Sequence, residues 1–219
     1  MMNFQIARSN MVAQQIRPWQ VFDNNVLMAL SQIQRENFTP KAFINLAYSD
    51  TDIPLPEGQT MLSPKMVGRA LQTLKLTGQE KVLEVGTGTG YVSACLTKLA
   101  GSVVSIEIQP ALLMQAEKNL NAINCRNLIL EQGDAVMGWE AHAPYDAIIV
   151  TGSYPLGVPE KICSQLNISG RLFAIVGVAP TMQAIMIERH GKSHYTTNTL
   201  FETVVPALIH APQPKKFQF

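Results

Sequence analysis

A glycine-rich turn that follows a mostly apolar run is the segment of this sequence best suited to bind a ligand. The run Val-Leu-Glu-Val at 82–85 leads into Gly86, Gly88 and Gly90. A buried strand, a glycine turn and a helix in this order place backbone N–H groups at the carboxyl edge of a sheet, where nucleotide-like ligands bind. The dinucleotide spacing G-x-G-x-x-G is not met, because the third glycine position falls on Tyr91. The turn therefore favours a nucleoside ligand without a compulsory pyrophosphate.

Two carboxylates follow the turn at the ends of the next predicted strands. Glu107 comes about 20 residues after Gly86, where a carboxylate can accept both hydroxyl groups of a ribose. Asp134, preceded by Gly133, follows the third predicted strand and can accept from an adenine amino group. Taken alone, a glycine turn is often only a tight connection and Glu107 only a solvated strand end. Together and in this order they predict S-adenosylmethionine as the cofactor, since it combines ribose and adenine without a pyrophosphate.

The elements that must position these residues alternate between strands and helices from Lys81 onward. We predict helices at 91–99 and from 110 to about 122, and strands at 82–85, 103–106, 128–130, 146–150, 172–176, 184–187 and around 201–205. Strands that alternate with helices form βαβ units with a parallel sheet covered on both faces. The pattern predicts an α/β fold with a doubly wound, mostly parallel sheet.

The first part of the chain has a different character. Residues 1–77 carry helical spacing at 24–33, 40–47 and 64–76, and a loop rich in proline and glycine at 50–60. We therefore divide the chain into three parts. They are an N-terminal helical and active-site-loop region packed on the core at 1–77, a cofactor-binding core at 78–208 and a loosely held tail at 209–219.

Composition excludes several classes of function. The chain has 219 residues, of which 47% are hydrophobic, and 17 Lys and Arg against 16 Asp and Glu give a net charge of +1. A balance this even provides no field that would attract nucleic acid or an anionic membrane. No apolar run approaches the roughly 20 residues of a membrane helix, and the N-terminus has no apolar segment typical of a secretory signal. We expect a cytoplasmic protein with neither a nucleic-acid nor a membrane partner.

Cysteine and histidine spacing gives no indication of a metal site. Cys95, Cys125 and Cys163 are far apart and form no C-x-x-C pair, which is typical of a reducing compartment. His190 and His194 are separated by a glycine and polar residues that predict a hairpin turn rather than a helix. We expect no metal, and the oligomeric state stays open.

Further segments, from about Met11 to Leu208, resemble one family along most of the chain. The similar segments are Met11–Arg17, Arg35–Pro40, Leu46–Asp50, Gly58–Thr60, Leu83–Gly90, Gly133–Asp134 with Gly138–Trp139, Ala143–Val150, Gly170–Leu172 and Val204–Pro206. With them the sequence resembles the protein-L-isoaspartate O-methyltransferases. The glycine turn is general among methyltransferases, whereas the Gly-Gln-Thr loop and the Ala-Pro-Tyr-Asp-Ala segment are particular to this family.

The resemblance implies a Rossmann-like methyltransferase that uses S-adenosylmethionine. In the family, the methyl group goes to the free α-carboxylate of an isoaspartyl residue, which starts the repair of damaged proteins through a succinimide. The implied partner is a protein or peptide acceptor with a free carboxylate. The residues expected to bind the cofactor are Gln59, Thr60, Met61, Glu84, Gly86, Thr87, Gly88, Gly90, Glu107, Ile108, Gly133 and Asp134.

One departure from the family concerns the acceptor loop. The family loop is Gly-Gln-Thr-Ile-Ser-Gln-Pro, and here residues 58–64 are Gly-Gln-Thr-Met-Leu-Ser-Pro. Leu62 therefore occupies the position of the family's active-site serine, Ser63 is one residue further, and Lys65 replaces an aromatic residue or histidine. The candidate catalytic positions are Thr60, Leu62 and Ser63. Losing one hydrogen bond to a charged group costs about 1.5–3 kcal/mol, or roughly 10- to 150-fold in rate or affinity.

Leu62 leaves three outcomes open, namely a slow repair enzyme, compensation by Ser63, or a changed acceptor. Our hypothesis is that the fold and the cofactor site are intact, while methylation of isoaspartyl residues is weak or absent. The alternatives are a methyltransferase of the same fold with another acceptor and a non-catalytic cofactor-binding or partner-binding protein. An NAD-dependent reductase is disfavoured by the glycine spacing. Whether the N-terminal region acts as a lid is not indicated by the sequence.

Overall fold

The computed structural model describes residues 3–215, which form nine strands and six α-helices. The strands are β1 (Ile53–Pro54), β2 (Thr60–Met61), β3 (Lys81–Val85), β4 (Ser102–Glu107), β5 (Leu128–Gln132), β6 (Tyr145–Tyr154), β7 (Leu166–Val178), β8 (Thr181–Arg189) and β9 (Tyr195–Glu202). The helices are α1 (Phe4–Met11), α2 (Asn24–Gln32), α3 (Pro64–Thr73), α4 (Tyr91–Leu99), α5 (Pro110–Asn121) and α6 (Glu160–Cys163). A π-helical turn covers Val12–Ile16, and short 3₁₀ turns cover Arg35–Asn37, Lys41–Leu46, Pro56–Gly58 and Glu140–His142. No helix among these residues is both long and apolar enough to cross a membrane.

A seven-stranded sheet forms the centre of the molecule, in the order β5-β4-β3-β6-β7-β8-β9. The first five strands pair in parallel, and β8 and β9 extend the sheet as antiparallel neighbours. The predicted doubly wound, mostly parallel fold is therefore confirmed. The chain order reverses between β3 and β6, and in open α/β sheets ligands bind at such a reversal, beyond the carboxyl ends of the strands.

The element predictions hold best where the sequence pattern is continuous. The predicted helix at 91–99 coincides with α4, and the helix from 110 to about 122 is α5. The last strand begins earlier than predicted, since β9 is a mostly exposed edge strand rich in threonine, whereas the apolar residues 204–206 lie after it. Their backbone instead pairs with Ser153, whose N–H donates to the carbonyl of Pro206 at 3.0 Å. The segment at 40–47 is a 3₁₀ turn rather than an α-helix.

The N-terminal helices are held by apolar packing against one another and against α4. The side chain of Asp23 caps α2 by accepting from the N–H groups of Asn25 and Val26. One face of α2 is buried, with Leu30 at its centre, and it packs on α4. A single apolar cluster contains residues from 1–77 and residues from the core. The boundary at 77 stays a prediction, because this packing does not mark where one part could fold without the other.

The buried face of α2 provides a test of this packing. We expect Leu30→Ala to lower the free energy of unfolding by about 2–5 kcal/mol, because it removes a fully buried side chain and leaves a cavity. Met28→Ala on the same helix removes a side chain that is 52% exposed, and we expect a change within about 0.5 kcal/mol. Urea unfolding followed by circular dichroism measures both. Equal losses for the two variants would contradict the packing described here.

Candidate active site

A cavity lies beyond the carboxyl ends of β3, β4 and β6. The glycine turn forms one side, the acceptor loop between β1 and α3 forms another, and residues after β9 close the third. The predicted site residues on its wall are Gln59, Thr60, Met61, Leu62, Gly86, Thr87, Gly88, Glu107, Ile108, Gly133 and Asp134. The fold therefore brings together most of the residues that the sequence singled out, although they come from four separate segments.

Glu107 fixes the geometry of the cavity floor. It is the last residue of β4, and its side chain is buried. Its Oε2 accepts from the N–H of Gly88 at 2.8 Å. Its Oε1 accepts from the N–H of Gln109 at 2.9 Å, directly before α5. A carboxylate has about four lone-pair sites, so each oxygen retains one for a further donor. The site thus suits a vicinal diol such as a ribose.

Two glycines are required because other groups occupy the space of a side chain. Gly86 has φ +93°, and a Cβ there would lie 2.4 Å from Oγ1 of Thr151. That hydroxyl donates to the carbonyls of Val85 and Gly86, which fixes the start of the turn. A Cβ on Gly133 would lie 2.3 Å from the ring of Trp139. Both positions bring the backbone close to the cavity, as a bound nucleoside requires.

Asp134 lies on the wall beside the segment that follows β9. Its Oδ1 accepts from the N–H of Val136 at 3.0 Å, and its Oδ2 lies 2.8 Å from Nδ1 of His210. Ala211 is buried, so the first residues of the expected tail are packed rather than loosely held. Residues 216–219 of that tail lie outside the described residues. His210 already occupies one hydrogen-bonding site of the Asp134 carboxylate. An adenine amino group would donate to a site that remains free.

Glu84 and Gly90 are expected site residues that do not lie on the cavity wall. Glu84 is fully buried below the glycine turn, and its Oε2 accepts from the hydroxyls of Ser93 and Ser105. Gly90 begins α4 with φ +88°, and a Cβ there would lie 2.8 Å from Leu120. Both residues therefore support the glycine turn from the side away from the cavity, because their side-chain positions face the layer between the sheet and the helices.

Ser63 lies in a second groove rather than on the cavity wall. This groove, the Asp52 groove, is lined by Trp19, Asp50, Thr51, Asp52, Ser63, Lys65, Met66, Glu202 and Thr203. The N–H of Ser63 donates to Oδ1 of Asp52 at 2.6 Å. Burial raises the pKa of Asp52, and hydrogen bonds from Ser63 oppose that rise. Lys65 pairs with Asp50 at 2.7 Å and stacks on Trp19, so Ser63 is in polar surroundings on the far side of Leu62.

Several residues of the wall were not expected from the sequence. The structure adds Arg35, Leu55, Val67, Thr89, Tyr91, Thr151, Pro206 and Leu208, among others. Three of the resembling segments, Arg35–Pro40, Leu83–Gly90 and Val204–Pro206, include residues of this set, but the resemblance gave these residues no role. Nothing in a single sequence indicates which apolar residues of a fold line a cavity.

Comparison with known proteins decides the family. A family model described as "Protein-L-isoaspartate(D-aspartate) O-methyltransferase (PCMT)" matches residues 7–208. This chain belongs to the protein-L-isoaspartate O-methyltransferase family. Among its relatives, the protein-L-isoaspartate O-methyltransferase of Geobacter metallireducens is 42% identical over 80% of this chain and 81% of its own length. A relative from Syntrophobacter fumaroxidans, named protein-L-isoaspartate O-methyltransferase 1, is 37% identical over 90% of this chain and 92% of its own length.

Solved structures give the same family fold. A chain named protein-L-isoaspartate O-methyltransferase matches with a TM-score of 0.80 and 25% identity. The match covers 91% of this chain and 65% of the solved one. A protein from Plasmodium falciparum, titled a putative protein-L-isoaspartate O-methyltransferase in complex with S-adenosyl-L-homocysteine, matches with a TM-score of 0.79. It is 19% identical over 95% of this chain and 99% of its own, and shows the fold alone.

Family membership makes this chain an S-adenosylmethionine-dependent methyltransferase, as the sequence predicted. The cavity fits that cofactor on three counts that are independent of the family. They are the free lone pairs of Glu107, the absence of a side chain at Gly86, and the carboxylate of Asp134 beyond Gly133. The role of each residue toward the cofactor stays a prediction.

Glu107 offers a direct test of the cofactor site. We expect Glu107→Gln to weaken S-adenosylmethionine binding at least about tenfold. The charged acceptor is lost, and the NH₂ group of the glutamine, which cannot accept, faces a backbone N–H. Isothermal titration calorimetry measures the dissociation constant, and circular dichroism checks that the variant is folded. Glu117→Gln removes an exposed carboxylate from α5 and is the matched control. An unchanged dissociation constant for Glu107→Gln would place the ribose elsewhere.

Glu84 makes stability depend on pH. Burial raises its pKa to about 8, the charge of Glu107 adds to the rise, and bonds from Ser105 and Ser93 oppose it. The pKa of Glu84 in the folded protein exceeds its ordinary value of 4.5. Its contribution to the free energy of unfolding is therefore complete below pH 4.5, where the carboxyl is protonated in both the folded and the unfolded chain. This contribution is lost as the pH rises through about 8.

The isosteric variant Glu84→Gln does not titrate and isolates this contribution. We expect the unaltered protein to lose stability relative to Glu84→Gln between pH 5 and about 8. Urea unfolding at intervals across that range gives the difference in the free energy of unfolding. A difference that stays constant with pH would show that Glu84 has an ordinary pKa.

Proposed function

We propose that this methyltransferase acts on the free α-carboxylate of isoaspartyl residues in proteins or peptides, and that Leu62 makes it slow. The proposal is supported by the names of relatives that match most of this chain and most of their own lengths. It is also supported by a cavity that is lined both by the residues expected to bind the cofactor and by the acceptor loop. The acceptor is the part of this proposal that depends on relatives.

The reaction requires little acid–base chemistry from the protein. The bound cofactor supplies an electrophilic methyl group, whose carbon–sulfur bond breaks as a carboxylate oxygen forms the new carbon–oxygen bond, giving a methyl ester and a neutral thioether. A carboxylic acid with a pKa near 4 is already ionised at neutral pH, so no general base is needed. The protein must therefore align the carboxylate and exclude water.

The acceptor loop has the structure needed for alignment. Strands β1 and β2 pair through Ile53 with Met61 and Pro54 with Thr60, which forms a small hairpin at the cavity. Met61 is 5% exposed and Leu55 is 8% exposed, so this side of the cavity is apolar and excludes water. Thr60 supplies a hydroxyl on the same wall.

The position of Leu62 carries the proposal that the enzyme is slow. Leu62 is buried on the cavity wall, and its backbone carbonyl accepts from Nη2 of Arg35 at 2.7 Å. The loop is therefore fixed at this residue with an apolar side chain where the family has a hydroxyl. Ser63 lies in the Asp52 groove, which argues against its compensating for Leu62. A carboxylate acceptor carried on an apolar group is the second candidate, because Leu62 makes this wall more apolar.

The remaining expectations concern partners and location. We infer a protein or peptide acceptor and no nucleic-acid partner, which the net charge of +1 supports. A reducing, cytoplasmic location is supported by three free thiols, since Cys95, Cys125 and Cys163 form no disulfide.

Restoring the hydroxyl tests the proposal. We expect Leu62→Ser to raise the rate of methyl transfer to an isoaspartyl peptide by roughly 10- to 150-fold, because one hydrogen bond to a charged group returns. Transfer of labelled methyl groups is measured with the normal aspartyl peptide as the substrate control. Leu62→Ala is the matched variant, since it removes the same bulk without adding a hydroxyl, and we expect no such gain. Ser63→Ala should leave the rate unchanged.

Two results would contradict this account. A gain from Leu62→Ala equal to that from Leu62→Ser would show that bulk, not the missing hydroxyl, limits the rate. A large loss in Ser63→Ala would show that Ser63 reaches the acceptor despite its place in the Asp52 groove.

A further inference from the structure

Two buried polar atoms without a hydrogen-bond partner belong to residues that line the cavity. They are Nη1 of Arg35 and Oγ1 of Thr89, and the lack of partners holds for the described residues 3–215. Buried polar groups in folded proteins are nearly always paired, since an unpaired one costs free energy. Two such atoms on the residues of one cavity point to a ligand that supplies the missing partners.

Arg35 is held firmly while one of its donor atoms stays free. Its Nε donates to the carbonyl of Ala47 at 2.8 Å, and its Nη2 donates to the carbonyl of Leu62 at 2.7 Å. The guanidinium lies over the ring of Tyr91, with 4.7 Å between Cζ and the ring centre. Because these contacts fix the plane of the group, they also fix Nη1, so a ligand would not need to order this side chain.

Arg35 is also the one cation among the described residues that line the cavity. The anions there are Glu107 and Asp134, and both are already engaged by donors of the protein. Burial lowers the pKa of Arg35, yet arginine stays protonated in proteins, so a positive charge is buried here. Asp52 acts on it through space, while its own Oδ1 accepts from Ser63. An unpaired buried charge is costly, and an anionic ligand would pair it.

We propose that Nη1 of Arg35 binds the α-carboxylate of the methyl acceptor and provides the contact that Leu62 cannot make. The inference rests on the proposed isoaspartyl acceptor. Arg35 is bonded to the carbonyl of Leu62, so its free donor is next to the loop at which the acceptor is expected. With one carboxylate oxygen on Nη1, the second oxygen is free to attack the methyl carbon. Arg35 thereby selects acceptors with a negative charge at this point.

The cofactor also carries a carboxylate, in its amino-acid part. The same orphaned donor could pair with it, so a test must separate the two sources. We favour the acceptor, because Arg35 is bonded to the acceptor loop, whereas the cofactor contacts are expected along the glycine turn and Glu107.

The test compares two peptides on the protein saturated with S-adenosylhomocysteine, so that no turnover occurs. One peptide carries an isoaspartyl residue with its free α-carboxylate, and its twin carries an α-carboxamide. In the unaltered protein we expect the carboxylate peptide to bind at least about tenfold more tightly. In Arg35→Gln the ratio of the two dissociation constants should fall to within about threefold, and in Arg35→Lys it should be intermediate, since a cation remains. Arg126→Gln changes an exposed arginine and should keep the full ratio.

The ratio separates recognition from structural support. If Arg35 only holds the loop, its variants weaken both peptides equally and the ratio persists, which would overturn the proposal. If Arg35→Gln weakens S-adenosylhomocysteine about tenfold and leaves the ratio unchanged, Arg35 binds the carboxylate of the cofactor, and the proposal is also overturned. A ratio below about threefold in the unaltered protein overturns it without any variant.

A measurement on the unaltered protein covers the case in which the variants fail to fold. With ¹⁵N-labelled arginine, the carboxylate peptide should shift the resonances of the buried guanidinium and the carboxamide twin should not. Equal shifts from both peptides would overturn the proposal. Labelled methyl transfer, run in parallel, decides the proposed function separately. If methyl transfer occurs and the ratio of dissociation constants does not change in Arg35→Gln, the proposed function stands and the role of Arg35 is overturned. If no transfer occurs and the ratio falls in Arg35→Gln, the role of Arg35 stands and the proposed function is overturned.

Discussion

The carboxylate of Glu107 joins the two turns on which the cavity depends. It accepts from the N–H of Gly88 in the glycine turn and from the N–H of Gln109 before α5, so one anion fixes both chain reversals at the carboxyl edge of the sheet. Only 4% of this residue is exposed, and the two bonds offset part of the cost of burying its charge. Thr151 occupies the space that a side chain at position 86 would need. The turn therefore has a glycine there, and its backbone can approach a ligand closely.

The cavity has two chemically different ends, and their difference suits methyl transfer. Glu107 and Asp134 make the nucleoside end anionic, whereas Met61 and Leu62 make the acceptor loop apolar. A carboxylate and a sulfonium lose their opposite charges on the way to the products, and such a change is favoured where water is excluded. In this view the buried charge of Arg35 binds the carboxylate without general acid–base chemistry, and Leu62 reduces the number of donors available to it.

How far the sequence could predict this site depends on the kind of pattern each residue belongs to. The glycine turn and α4 are one continuous segment, so local spacing was enough to single out Gly86 and Gly88, which lie on the cavity wall. Glu84 is next to the same turn, but strand alternation alone does not tell which layer a polar side chain faces, and it lies below the turn. Ser63 is in an irregular loop without periodicity, and its place in the Asp52 groove became visible only in three dimensions. Arg35 reaches the wall through tertiary packing.

In our account, the intact cofactor site serves the methylation of isoaspartyl carboxylates. The most direct measurement is transfer of labelled methyl groups by the unaltered protein to an isoaspartyl peptide and to its normal aspartyl twin. We predict slow labelling of the isoaspartyl peptide alone, with the label released by mild base as expected for a methyl ester. Equal labelling of both peptides, or no labelling by a protein that binds S-adenosylmethionine, would contradict the account.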